Sequence, residues 1–189
     1  MNIMDQSRIE FRFSGFGGQG LLLASIILAE ALVNDGFQVI QGESHGIEAR
    51  GGASRGEVIA SREDIYDLAV SKPDIFVAIS QEACTRYHAQ NRKDALVILD
   101  SFQVREIPEL DTQNAYAFPF TKLLKEKLNT VLPANICFLG NLVGLLPLVS
   151  VESLRTAILH RVPKGTEELN LKAYELGIEL ARGAKPLGK

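Results

Sequence analysis

The chain has 189 residues, 46 % of them hydrophobic and 23 % charged, with a formal net charge of −3. This supplies one domain with a full core and excludes global disorder. No block of Lys and Arg stands out, so the phosphate-neutralising footprint of a nucleic-acid binder is absent.

In chain order, Ile9 to Ser14 alternates apolar and polar residues and predicts a first strand. Gly15-Phe-Gly-Gly-Gln-Gly20 is a glycine-rich turn, and Leu21 to Val33 is a dense apolar run of good helix formers, stopped at Asn34-Asp35-Gly36. Phe37 to Gln41 predicts a second strand, giving a Rossmann-like β-α-β unit with a right-handed crossover. Gly42 to Gly56 shows no period and carries five glycines among charged residues. A polar loop of that kind inside a compact domain is more often functional than idle.

Glu57 to Ala60 resumes as a short strand, Ser61 to Asp64 is a turn, and Ile65 to Val70 is ambiguous. Ile75 to Ile79 and Ala95 to Leu99 are continuous apolar runs, as in strands covered on both faces. Helices are predicted over Gln81 to Gln90, Thr121 to Leu128 (capped by Thr121), Asn135 to Leu146, Val151 to His160 (capped by Ser150) and from Thr166 to about Ala181. Ala115 to Pro119 is a further candidate strand, and Arg182 to Lys189 reads as a frayed tail. Strands alternating with helices predict an α/β fold, a three-layer α/β/α sandwich with a mostly parallel, mixed sheet. One domain over 1–189 is expected, its core at about 9–181.

The chain opens with no charged segment followed by an apolar one, and its longest apolar stretches fall far below the about 20 residues of a membrane span. A cytoplasmic protein without membrane contact is the expectation. Two cysteines, Cys84 and Cys137, are too few for a disulfide framework or for the four ligands of an ordinary iron–sulfur cluster. The three histidines show no zinc spacing.

Gly15, Gly17 and Gly20 satisfy G-x-G-x-x-G between a strand and a helix, and Glu43 stands about where a ribose-binding acid would. An autonomous NAD(P)-binding enzyme, a non-enzymatic anion-binding module and a purely structural turn all satisfy that pattern. The second loop, with Glu48-Ala-Arg50-Gly51-Gly52 and Arg55, is not something a dinucleotide fold needs.

Phe16-Gly-Gly-Gln-Gly20, the segment Glu48 to Glu57, Lys72-Pro-Asp74, Ser80-Gln-Glu82 and the stretch from Val162 to Gly177 resemble, in this order, the gamma subunit of 2-oxoacid:ferredoxin oxidoreductases. The C-terminal stretch is most similar to the 2-oxoglutarate branch. The resemblance implies an enzyme whose alpha and beta subunits hold thiamine diphosphate and Mg²⁺ between them. In it a 2-oxoacid is decarboxylated, coenzyme A takes the acyl group, and iron–sulfur clusters on beta, delta or fused subunits pass electrons to ferredoxin or a related acceptor. This chain is then expected to bind no cofactor alone, to carry no catalytic residue or metal, and to act with its alpha, beta and possibly delta partners. A homodimer of the isolated chain is a further expectation. The residues carried forward are Gly15, Gly17, Gly18, Gln19, Gly20, Glu43, Glu48, Arg50, Gly51, Gly52 and Arg55, as loops that face the cofactor site or partner subunits. Glu48 is expected to orient Arg50.

Overall fold

In a computed structural model, residues 6–44 and 53–188 are described. They form a six-stranded mixed sheet in the order β2-β3-β1-β4-β5-β6. The strands are β1 (Arg8–Phe16), β2 (Gln38–Ser44), β3 (Ala53–Ser61), β4 (Ile75–Ala78), β5 (Leu96–Asp100) and β6 (Ala115–Phe118). The helices are α1 (Leu21–Asn34), α2 (Gln81–Tyr87, extended by a 3-10 turn His88–Gln90), α3 (Phe120–Leu128), α4 (Ala134–Leu145), α5 (Val151–Arg161) and α6 (Glu167–Ala181).

β1, β4, β5 and β6 are parallel, while β3 runs antiparallel to both β1 and β2. The α/β class, the three layers and the mixed sheet are as the sequence predicts. The first β-α-β unit is present with a difference: β1 and β2 are parallel but not neighbours, because β3 lies between them. The nine residues of β3 pair along their whole length with β1 and over seven positions with β2. Those paired lengths also shorten the loop expected over Gly42–Gly56, since β2 extends to Ser44 and β3 begins at Ala53.

The two faces of the sheet are covered unequally. Phe11 and Phe13 of β1, Val58 and Ala60 of β3, Val77 of β4 and Ile98 of β5 pack into one apolar core with α1, α3, α4, α5 and α6. On the opposite face Phe76, Ala78, Val97 and Leu99 pack, among the described residues, with α2 and the loop after β5, through Ala83, Cys84, Tyr87 and Val104. The alternation of β1 suggests one wet face, yet Glu10, Arg12 and Ser14 are buried under this thin layer.

Local details depart from three expectations. Thr121 does not cap α3; its N–H and hydroxyl both donate to Asp100, at 3.1 and 2.5 Å, and tie α3 to the end of β5. Thr166 stands at the N-cap of α6 as expected but without a side-chain cap bond, its hydroxyl donating instead to the Pro163 carbonyl at 2.7 Å. The tail is docked rather than frayed, with Leu187 N donating to Ala115 O on the β6 edge at 2.7 Å. Ser150 does cap α5, accepting from Ser153 N at 3.0 Å.

Candidate functional site

β1 leads through α1 to one side of the sheet, and its neighbour β4 leads through α2 to the other. The strand order therefore reverses between β1 and β4, and the crevice at their carboxyl ends is where α/β folds place ligands. The glycine loop sits there. Gly15 is buried at the end of β1, Gly17 and Gly18 form an exposed turn, and Gly20 begins α1 with φ of 73°. A side chain at Gly20 is strained by that φ and would also meet Asn135 Nδ2 at 2.5 Å, the atom that donates to the Gly20 carbonyl.

Gln19 fills the crevice itself. Its Oε1 accepts from Phe16 N at 2.6 Å, and its Nε2 donates across the reversal point to Ile79 O at 3.4 Å. A Cβ at Gly15 would collide with the Gln19 amide, so the first glycine makes room for this side chain. The loop is thereby closed by its own glutamine, where a dinucleotide fold leaves a bare backbone for a pyrophosphate.

Glu43 does not stand beside that loop. It pairs with Gly56 of β3, which in turn pairs with Phe13 of β1. Two strand spacings, about 10 Å, thus separate it from β1, where an adjacent second strand would leave about 5 Å. Its side of the strand is that of Gln41, whose amide donates to Ser25 Oγ on α1 at 3.1 Å. Arg55, one position from Gly56, points to the opposite, thin face. Glu43 and Arg55 therefore belong to different faces. Glu48, Arg50, Gly51 and Gly52 lie outside the described residues. β3 begins level with Phe16 and β2 ends level with Ser14, at the edge of the sheet that carries the glycine loop.

Sequence reasoning missed the setting of Arg55. Beneath it, the buried Arg12 donates through Nε to Glu57 Oε1 at 2.6 Å, through Nη1 to Gln90 Oε1 at 2.8 Å and through Nη2 to Val70 O at 3.1 Å. Arg55 Nε lies 3.5 Å from the same Glu57 oxygen but, buried, makes no hydrogen bond. The guanidinium of Arg55 sits 5.6 Å from the centre of the Tyr87 ring, with Arg12 at 5.8 Å and Arg86 at 5.6 Å. The polar positions of β1, at period 2, were the available signal, though nothing in them marked that face as covered.

Other candidates are structural. Gln81 opens α2 and accepts from Arg105 N and Glu106 N at 2.9 and 3.0 Å, anchoring the loop after β5. Cys84 and Cys137 are buried, and burial pushes their thiols up to about 11 and about 12, far from the range of a nucleophile. Among the described residues, no helix is long and apolar enough to cross a membrane.

Residues 10–180 match the family model described as pyruvate ferredoxin/flavodoxin oxidoreductase. The chain belongs to that family. It is 44 % identical over 178 residues to a protein named 2-oxoglutarate synthase subunit KorC from Methanocaldococcus jannaschii, covering 93 % of this chain and 95 % of that one. A solved keto/oxoacid ferredoxin oxidoreductase gamma subunit from Geobacter sulfurreducens superposes with a TM-score of 0.86 at 40 % identity, over 95 % of this chain and 99 % of the other. The 2-oxoglutarate:ferredoxin oxidoreductase of Magnetococcus marinus shares the fold, with a TM-score of 0.82 at 23 % identity, over 94 % of this chain and 31 % of that longer chain. The chain is thus a gamma-type subunit of a multi-subunit oxoacid oxidoreductase. The autonomous dinucleotide enzyme is set aside by the family and by the two geometric departures at Gln19 and Glu43.

Proposed function

We propose that this chain completes a 2-oxoglutarate:ferredoxin oxidoreductase by docking its carboxyl-end loops on alpha and beta subunits that bind thiamine diphosphate, Mg²⁺ and, with any delta subunit, the iron–sulfur clusters. The observation that carries the reading is an apolar rim around a filled crevice. Phe16 at the end of β1, Phe102 and Ile107 in the loop after β5, and Val131 and Leu132 just before α4, whose Asn135 meets Gly20, are exposed, Leu132 to 83 %. Exposed apolar side chains around such a crevice suit a surface made for another protein. In the isolated chain the same rim favours a homodimer. The relatives named for 2-oxoglutarate support that oxoacid over pyruvate, 2-oxoisovalerate or indolepyruvate. Free cysteines fit a reducing cytoplasm.

Gly15, Gly17, Gly18, Gln19 and Gly20 shape the docking edge, and Glu43, Glu48, Arg50, Gly51, Gly52 and Arg55 form its polar part. Arg50 and Arg55 hold an oxyanion, either a phosphate of coenzyme A or a carboxylate of a partner subunit, since guanidinium suits both. Coenzyme A, when bound, supplies the thiol that takes the acyl group.

Co-expression with alpha and beta chains tests the proposal. The expected result is co-purification, and 2-oxoglutarate- and coenzyme A-dependent reduction of ferredoxin that stops when this chain is omitted. A chain that associates with no thiamine-dependent partner, or that oxidises a substrate alone with NAD, removes the reading. Arg50→Ala is expected to lower assembly or acyl transfer; unchanged values of both would dismiss that residue.

A further inference from the structure

We propose that Tyr87, a residue of α2 with no part in any motif, is the positioning residue that aims Arg55 at its oxyanion. This deepens the reading of Arg55 above and rests on it. The buried ion pair of the thin face is complete without Arg55, because Arg12 already meets Glu57 at 2.6 Å and is held on its other nitrogens by Gln90 and Val70. Adding a second guanidinium whose buried Nε goes unbonded costs stability and does not improve that pair. Three guanidiniums, Arg12, Arg55 and Arg86, gather around one phenol. Among the described residues, Glu57 is the carboxylate in ion-pair reach of both Arg12 and Arg55. Arg12 and Arg55 thus share the Glu57 carboxylate near the start of β3.

Tyr87 is placed to hold the Arg55 guanidinium in one geometry. It is 6 % exposed, and its hydroxyl donates to Ala53 O at 3.3 Å, two residues before Arg55 on β3. The phenol is therefore locked to the strand that carries the arginine, and its ring offers the guanidinium a fixed platform. Its Nε lies 3.5 Å from Glu57 and its guanidinium 5.6 Å from the ring centre, and the side chain of Arg55 is 28 % exposed, so part of it is open to a ligand. A planar fork held this way recognises an oxyanion with less ordering cost than a free arginine.

The test uses the assembled oxidoreductase carrying Arg55→Ala, Arg55→Lys, Tyr87→Leu or Tyr87→Phe in this chain. The KM for coenzyme A at saturating 2-oxoacid reads a phosphate ligand, and the Kd of this chain for its partner subunits reads a partner carboxylate. Arg55→Ala is expected to weaken one of the two by about 10- to 100-fold, the range of a charge-assisted hydrogen-bonded contact. Arg55→Lys keeps the charge, loses the stacked fork, and is expected to recover little. Tyr87→Leu is expected to weaken the same quantity about 5-fold with kcat held, and Tyr87→Phe, which keeps the ring, to recover most of that loss. An Arg55→Lys chain that matches the unaltered enzyme overturns the proposal, even where Tyr87→Leu fails to fold. A folded Tyr87→Leu chain with both quantities unchanged overturns it as well. If Arg55→Ala changes neither quantity, the failure lies in the reading of Arg55 and not in its positioning.

Discussion

The two faces of the sheet solve different problems. The thick face is held by shape: α4 and α6 touch through Gly140, Gly144 and Gly177, and a Cβ at Gly177 would collide with the Cys137 carbonyl oxygen and come within 2.7 Å of Asn141 N. The thin face sets buried charge beside its smaller apolar cluster, with Arg12, Glu57, Glu10 and Asp74 buried and hydrogen-bonded. Close apolar packing, here with an Asn141–Gly177 hydrogen bond between the two helices, stabilises without marking a partner. Buried charge is a weak way to stabilise a fold, and of these four residues Arg12 and Glu57 lie beside Arg55 while Glu10 and Asp74 lie at the other end of β1.

The largest effect that tests this contrast is expected from Gly177→Ala. The added methyl meets backbone that cannot swing aside, and the overpacking cost of about 3 kcal/mol exceeds the about 1 kcal/mol gained in helix propensity. A denaturant midpoint near that of the unaltered chain would mean that the two helices are not in close contact. Next comes Arg12→Met, which strands Glu57 with only the distant Nε of Arg55. A loss of about 2–3 kcal/mol is expected, less than for a fully isolated charge. The double variant Arg12→Met with Glu57→Leu should regain most of it in the same titration while still impairing the assembled enzyme. Should the double variant assemble and turn over normally, the thin face would be only another core. Gln19→Ala follows at about 1–2 kcal/mol, the value of one good and one long hydrogen bond in a half-buried loop. It leaves the contrast intact if its calorimetric titration with NAD(H) shows no binding, and breaks it if emptying the crevice creates a dinucleotide site.

Strands and helices were legible because their signals are local. Continuous apolar runs at Ile75 and Ala95 marked covered strands, and Ser150 marked a helix start. The insertion of β3 was not legible, since pairing partners are chosen by contacts far apart in sequence and the glycines of 42–56 hid two strand ends. The glycine loop could be located but not interpreted: G-x-G-x-x-G fits both an open phosphate cradle and one closed by Gln19, and only the position of that amide separates them. Arg55 stood in a motif, but Tyr87 had no local mark, because its importance comes from α2 crossing the start of β3.

The smallest effect concerns the thick face, where charge plays a minor part at its rim and should respond to acid. The Asp35 carboxylate at the end of α1 accepts from Ser150 N at 2.5 Å and from the hydroxyls of Ser150 and Ser153, fastening the start of α5. Burial pushes its pKa up, but those hydrogen bonds and the charge of Arg62 outweigh it, and the carboxyl lies below its ordinary 3.8. Glu30 is likewise lowered from 4.5, burial being outweighed by the hydrogen bonds and charges of His160 and Arg161 at the other end of α5. A carboxyl lowered in the folded state stabilises above its unfolded pKa and stops doing so as pH falls through its folded value. Asp35→Asn is therefore expected to cost about 1 kcal/mol at pH 7, with the gap to the unaltered chain closing as pH drops well below 3.8. Urea midpoints at pH 7 and pH 2.5 check this. A gap that stays constant would assign the loss to the shape of the side chain and return that rim to the rule of the apolar face behind it.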